Sequence, residues 1–393
     1  MKKPLLILAF TVLLSVSLTA GDTAEAASPM LAEPLHAILR KGAERIFDLD
    51  TQGAIAQFQR AVDMGRENPL GYAFLSLTYL FAYETSFEQK ERETYLGYML
   101  RYADQAVNLG GKRLEKREDD VQAHYAVVLA KIAKVRWAIG QKRYTVIVQE
   151  TSSVWDYCEK IKKEDPQDFD VYFPMGLLHY HLDLLPGFSR FISSLLITSG
   201  DRKKGIQELE TAAQKGDLLR ELAQAELASI YSNYENMPQR ALPLAKKLKD
   251  AYPHNYNFSF ALANTLSDLH RFDEAFAIAQ DIEKGIVAKT PPYVPKLQSR
   301  YELLMGRILF NQLKYNQAAE HLQRAKQDTA PYNARIRAWA LVRLGMISDA
   351  VKERSKAQDY YSEALDVEGG EGAAQTEARK YLNTPYVPPP ASR

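Results

Sequence analysis

Two stretches near the end of this chain carry small residues at one shared spacing: Gly306, Ala318 and Ala325, then Gly345, Ala357 and Ala364. That spacing puts one small residue on a first helix and two on a second, along the line where an antiparallel pair meets. A pair of this kind leaves one apolar face bare, and only the next pair covers it. Units therefore come in series and build a curved stack.

At 393 residues the chain is too long for one compact core, and 46% apolar with 25% charged residues is ordinary globular composition. The formal charge is +1 and no long block of one sign interrupts the body, which argues against nucleic acid or other partners bound mainly through phosphate. Tyrosine at 23 copies and phenylalanine at 15, against 3 tryptophans, supply rings that fill irregular space between helix layers.

From Leu31 onward the periodicity is helical, broken at Asn68-Pro69, Gly110-Gly111, Asp165-Pro166, Gly200-Asp201, Tyr252-Pro253, Thr290 to Pro295 and Ala330-Pro331. These breaks give helix pairs over residues 31–67, 69–110, 118–165, 168–216, 218–253, 255–289, 294–330 and 332–367. The second helices repeat a small, large, small pattern: Ala54, Phe58, Ala61; Ala275, Ala279, Ile282; Ala318, Leu322, Ala325; Ala357, Tyr361, Ala364. Ala241, Ala245 and Leu248 fill the same places in the fifth pair, and Gly42, Ala263, Gly306 and Gly345 mark the first helices.

This pattern resembles the tetratricopeptide repeat, in a protein of the exported bacterial type. The resemblance implies an all-α fold, a right-handed superhelical α-solenoid of about eight helix pairs with a C-terminal capping helix. The expected organisation is a signal peptide at 1–26, irregular repeats over 31–216, regular repeats over 218–367, the capping helix at 373–382 and a disordered proline-rich tail at 384–393. Glu84 to Arg92 and Gly111 to Asp120 read as solvated connectors. The spiral is expected to be elongated, with its inner wall doing the recognising.

The leader reading rests on Lys2 and Lys3, the apolar run Leu5 to Leu18, and Ala24-Glu25-Ala26 as the cleavage site. It places the mature protein in the periplasm or outside the cell, and no lipid-attachment cysteine follows the run. Cys158, the single cysteine, reads as a small buried apolar residue.

No catalytic constellation or cofactor motif has the required spacing. In His179-x-His181-x-Asp183 only the first and last share a helix face, so no metal site is expected there. In tetratricopeptide proteins the first helices line a concave groove. The resemblance assigns to that groove Asn257, Phe260, Asn264, Arg300, Leu303, Arg307, Phe310, Trp339, Val342 and Met346. For Phe260, Leu303 and Val342, packing between layers is an equal alternative. The implied function is a non-enzymatic scaffold for a protein or peptide partner in the cell envelope. The insert 184–197, with Phe188, Phe191, Ile192, Leu195 and Leu196, reads as a helix packed across the solenoid and filling its concave face; the alternative function, a carrier of an apolar small molecule or lipid, gives that surface to a ligand. Finally, Pro385-Tyr386-Val387-Pro388 in the tail echoes Pro292-Tyr293-Val294-Pro295. Both read as helix stops, with a docking tail as the alternative.

Overall fold

The computed structural model describes residues 33–141, 143–183, 200–370 and 372–388. The leader 1–26 and the apolar insert 184–197 lie outside the described residues. Among those described there is no strand, and the helices follow one another as neighbouring antiparallel pairs. The first three pairs are α1 (Leu35–Phe47) with α2 (Thr51–Met64), α3 (Pro69–Thr85) with α4 (Gln89–Lys116), and α5 (Val121–Gly140) with α6 (Tyr144–Glu164). The fourth contains α7 (Tyr172–Asp183) and α8 (Arg202–Lys215), and the fifth α9 (Arg220–Asn233) and α10 (Pro238–Ala251). The sixth is α11 (Tyr256–Asp268) with α12 (Phe272–Ala288), the seventh α13 (Gln298–Asn311) with α14 (Tyr315–Lys326), and the eighth α15 (Ala334–Ala350) with α16 (Arg354–Leu365). A last helix, α17 (Ala373–Asn383), covers the final pair.

Inner and outer helices differ as their sequences dictate. First helices such as α3 and α5 are apolar almost all round and bury residues on every side, including Leu70, Phe74, Leu77 and Leu80 in α3. Second helices bury only a stripe: Ala318, Leu322 and Ala325 in α14. Asp50, Asn68, Asp120, Asp201 and Asn255 cap helix starts, each side chain accepting a backbone N–H within the first turn.

The small residues on the contact line make holes for rings. A methyl group on Gly345 would fall 2.5 Å from the Tyr361 ring, so the glycine is where that tyrosine lodges. The fourth pair is different, since a methyl on Gly176 would meet the carbonyl of Gly205 at 2.7 Å and the Leu209 amide at 2.8 Å. There the two backbones themselves touch.

Five turns inside pairs share one backbone device. Leu49, Asn236, His270, Leu313 and Lys352 each have φ between 51° and 65°, and each stands two residues before its second helix. The left-handed residue reverses the chain in the fewest positions, at a cost that a non-glycine side chain makes real.

Two expected connectors are shorter than the sequence suggests, because helix takes up much of each. Residues 89–116 form one 28-residue helix, so the first charged segment is the end of α3, a short turn at 86–88 and the opening turn of α4, and Gly110-Gly111 lies inside the helix. Gly110 permits α4 to press on α5, where a methyl would lie 2.5 Å from Val127. A glycine pair that reads as a break is here a contact.

The spiral is also not elongated and open. The first pair docks on the fifth and sixth. His36 Nε2 pairs with Asp217 Oδ2 at 2.6 Å, and Arg40 donates to both Glu221 carboxylate oxygens at 2.8 and 2.9 Å. Asn255 Nδ2 donates to the Phe47 carbonyl at 2.7 Å, and the Phe47 and Tyr252 rings lie 5.5 Å apart. Phe87, from the turn before α4, packs edge-on against Tyr332 at 5.4 Å, and Glu88 beside it pairs with Lys296. Apolar surface on the first two pairs that no adjacent layer covers is buried this way.

Candidate functional site

Of the residues expected to line the groove, Asn257, Phe260 and Arg300 meet one another. Arg300 Nη1 donates to Asn257 Oδ1 at 2.6 Å, with its guanidinium 4.3 Å from the centre of the Phe260 ring. Burial holds the Arg300 pKa below the usual arginine value. Arg307 forks onto Asp268, donating from Nε at 3.0 Å, and Asn311 donates to Ser267 Oγ at 2.9 Å. These bonds link α11 to α13 as a ladder between successive first helices. Asn264 is half-buried on α11.

Phe260 and Val342 have no exposed surface, so packing between layers is their role and they offer nothing to a ligand. Leu303, Trp339 and Met346 are half-buried beside the same cores. Phe310 is buried, and one of the rings against it is Tyr386 of the tail, 5.7 Å away. The expectation of a disordered tail therefore fails for residues 384–388. The Tyr386 amide donates to Asp349 Oδ2 at 2.8 Å, which fixes the chain there.

His179 and His181 point to different sides and meet different carboxylates, Glu208 at 2.5 Å and Glu226 at 2.7 Å. Among the described residues no group of three His, Cys, Asp or Glu is placed to hold a metal ion. Cys158 is fully buried, and burial pushes its thiol well above the usual pKa. The apolar insert, with Phe188, Phe191, Ile192, Leu195 and Leu196, lies outside the described residues, but its flanks are close: the Asp201 amide donates to the His179 carbonyl at 3.0 Å. Among the described residues no helix is long and apolar enough to cross a membrane.

The sequence did not point to a further cavity. A cleft of about 1130 Å³ opens between the α3–α4 turn and the end of α5 on one side and the starts and ends of the last two pairs on the other. Arg92, Arg136, Arg143, Arg335 and Arg337 reach into it, together with Tyr83, Trp137 and Tyr332. Arg136 is held by Glu84 through two bonds of 2.8 and 3.0 Å, which keeps it fully charged, and Arg337 pairs with Glu363 at 3.3 Å. Arg92 lies 4.3 Å over the Tyr83 ring and donates to two carbonyls, and Arg143 lies 6.0 Å from the Trp137 ring. Among the described residues Arg92, Arg143 and Arg335 meet no carboxylate at ion-pair distance. Acidic side chains, among them Glu93, Asp366 and Glu368, stand on the same rim. The only signal in the sequence was the charged run Glu84 to Arg92, because the facing wall comes from residues more than 180 positions away.

No protein-family model matches the chain, and no curated protein matches it. Solved structures do, each at low identity. A tetratricopeptide repeat protein from Parabacteroides merdae is 14% identical, with 78% of this chain and 98% of that one covered and a TM-score of 0.32. Yeast Tom70 is 11% identical over 90% and 89% of the two chains, with a TM-score of 0.36. The TPR domain of P58(IPK) is 15% identical over 89% and 97%, with a TM-score of 0.22. The assignment of fold rests on this chain's own helix pairs, their five matching turns and their glycine-to-ring contacts. It is an all-α solenoid of tetratricopeptide-like pairs.

Proposed function

We propose that this protein is a non-enzymatic scaffold, exported to the bacterial envelope, that holds a segment of a protein partner in the cleft between its early and late helix pairs. The observation that carries this reading is the cleft itself, large enough for a peptide in extended or helical form and edged by three arginines that meet no carboxylate at ion-pair distance among the described residues. Arginine forks onto carboxylates, and Tyr83 and Trp137 beside them offer flat apolar contact. The fitting partner segment carries acidic side chains and at least one ring or aliphatic anchor. Export is supported by the paired lysines, apolar run and Ala24-Glu25-Ala26 of the leader.

Affinity capture from envelope extracts tests both parts. Arg143→Glu combined with Arg335→Glu is expected to lower recovery of the partner at least tenfold, since each reversal turns an attraction into a repulsion. Unchanged recovery rejects the cleft. Sequencing the mature N-terminus is expected to begin at Ala27, and a mature chain starting at Met1 rejects export.

A further inference from the structure

A second pocket lies away from the cleft, at the C-terminal ends of α13 and α15, and nothing about it depends on the reading above. The ring of Tyr386 fills it, 5.7 Å from Phe310 and 5.5 Å from Tyr381. Below the ring, Asp349 takes the Tyr386 amide while also holding Arg354 at 3.0 Å and the Tyr361 hydroxyl at 2.9 Å. Arg354 donates to the Leu382 carbonyl at 2.7 Å, so the chain entering the tail is fixed to the same carboxylate. The next residue, Val387, is 79% exposed. One ring inward, one main-chain hydrogen bond and the following side chain outward is how an extended peptide docks by a single anchor. The echo motif behaves alike, with the Tyr293 ring lodged where a methyl on Gly285 would fall 2.7 Å from it.

Two polar groups beside the tail ring have no hydrogen-bonding or ion-pair partner among the described residues. The Tyr315 hydroxyl is buried without a hydrogen-bond partner. Arg343, only 9% exposed, lies 5.5 Å from the Phe310 ring and 5.7 Å from Trp339, and meets no carboxylate at ion-pair distance among the described residues. Asp268, on the same wall, is already engaged by Arg307. Burial first, and the neighbouring Arg307 charge second, pull the Arg343 pKa down to about 9. Arg343 and the orphan Tyr315 hydroxyl both act on the Tyr386 phenol, and the tail brings neither of them an anion.

We propose that this pocket is the docking site for an extended partner segment whose aromatic ring bears or adjoins an acidic group, and that the chain's own Tyr386 closes it in cis. The tail supplies the ring and the amide but no negative charge. A partner that brings all three displaces it.

The test uses the full chain carrying Tyr386→Ala and two dye-labelled peptides of residues 384–390, read by fluorescence anisotropy. One peptide has the natural tyrosine and the other p-carboxyphenylalanine in its place, which puts a carboxylate where the phenol oxygen sits. Both are expected to bind, the carboxylate form roughly tenfold tighter, as a charge-assisted hydrogen bond in a desolvated pocket provides. Arg343→Met in the same background is expected to abolish that preference, and wild-type chain to bind the carboxylate peptide more weakly because its tail competes. A folded Tyr386→Ala chain that binds neither peptide overturns the proposal, as does a preference that survives Arg343→Met. If Tyr386→Ala does not fold, wild-type chain decides: saturable binding of the carboxylate peptide supports the pocket, and none at millimolar peptide overturns it. Arg143 and Arg335 lie outside this pocket, so its failure leaves the cleft to stand or fall separately.

Discussion

The first pair and the last four are built alike, whereas the second to fourth pairs are held together by other means. In the regular set, a left-handed residue two positions before the second helix sets the turn, and in the first, seventh and eighth pairs a glycine on the first helix receives a large side chain from the second. Between residues 50 and 235 no described non-glycine residue has positive φ. The second and third pairs have longer helices, and the fourth has the close backbone approach of Gly176 to Gly205 and, at its entry, two buried carboxylates, Asp168 and Asp170. Asp170 accepts the amides of Asp217, Leu218 and Leu219 at 2.7 to 3.1 Å and the Tyr125 hydroxyl at 3.1 Å, pinning the entry to α9. Local rules suffice where neighbours repeat. Where they do not, long-range polar contacts set the register.

The largest expected effect separates the two kinds of glycine contact. Gly176→Ala should cost about 3 kcal/mol, because its methyl meets backbone that no side chain can yield, while Gly345→Ala should cost about 1 kcal/mol after its gain in helix propensity. Urea unfolding of double mutants sharpens the contrast. Tyr361→Leu should recover about 1 kcal/mol of the Gly345→Ala loss, whereas Leu209→Ala should recover only a small part of the loss at Gly176, because it removes the Leu209 Cγ contact and leaves the Gly205 carbonyl and the Leu209 amide in place. Equal costs at both glycines would break the distinction.

A smaller effect belongs to Asp168 in the middle region. Its Oδ2 is buried without a partner, and burial, followed by the charge of Asp170, raises its pKa well above the usual carboxylate range. A carboxyl raised in the folded state binds more protons there than in the unfolded chain, so its contribution is largest at low pH. Stability is lost as pH climbs from the unfolded pKa through the folded one. Asp168→Asn should therefore stabilise the protein by about 1 kcal/mol at pH 7.5 and show little difference near pH 4. Denaturation midpoints at the two pH values decide this, and a larger gain at pH 4 would contradict the sign.

The smallest effect tests the shared turn. Lys352 is exposed with φ of 65°, so Lys352→Gly should raise stability by about 0.5 kcal/mol, the relief of left-handed strain less the added freedom of the unfolded chain. A loss of that size in thermal unfolding would show that the lysine is not strained there.

The sequence by itself determined the helix pairs and their order, because small residues and rings recur at spacings that only paired helices satisfy. It determined the regular layers best, where Gly306 and Gly345 face residues of the same pair a fixed distance along the chain. It misread Gly110-Gly111 as a break, since a glycine that admits a neighbouring helix and one that ends a helix look identical in one dimension. Only the tertiary structure decided what became of the groove. Arg300 finds Asn257 and Arg307 finds Asp268 because successive first helices lie side by side. Tyr386 reaches Phe310 because the last helix returns the tail across the stack. The cleft exists because the first pair curls back onto the fifth and sixth through Arg40, His36 and Asn255. Contacts between residues about 180 to 210 positions apart leave no periodic trace in a chain, so the recognising surfaces were invisible until it was folded.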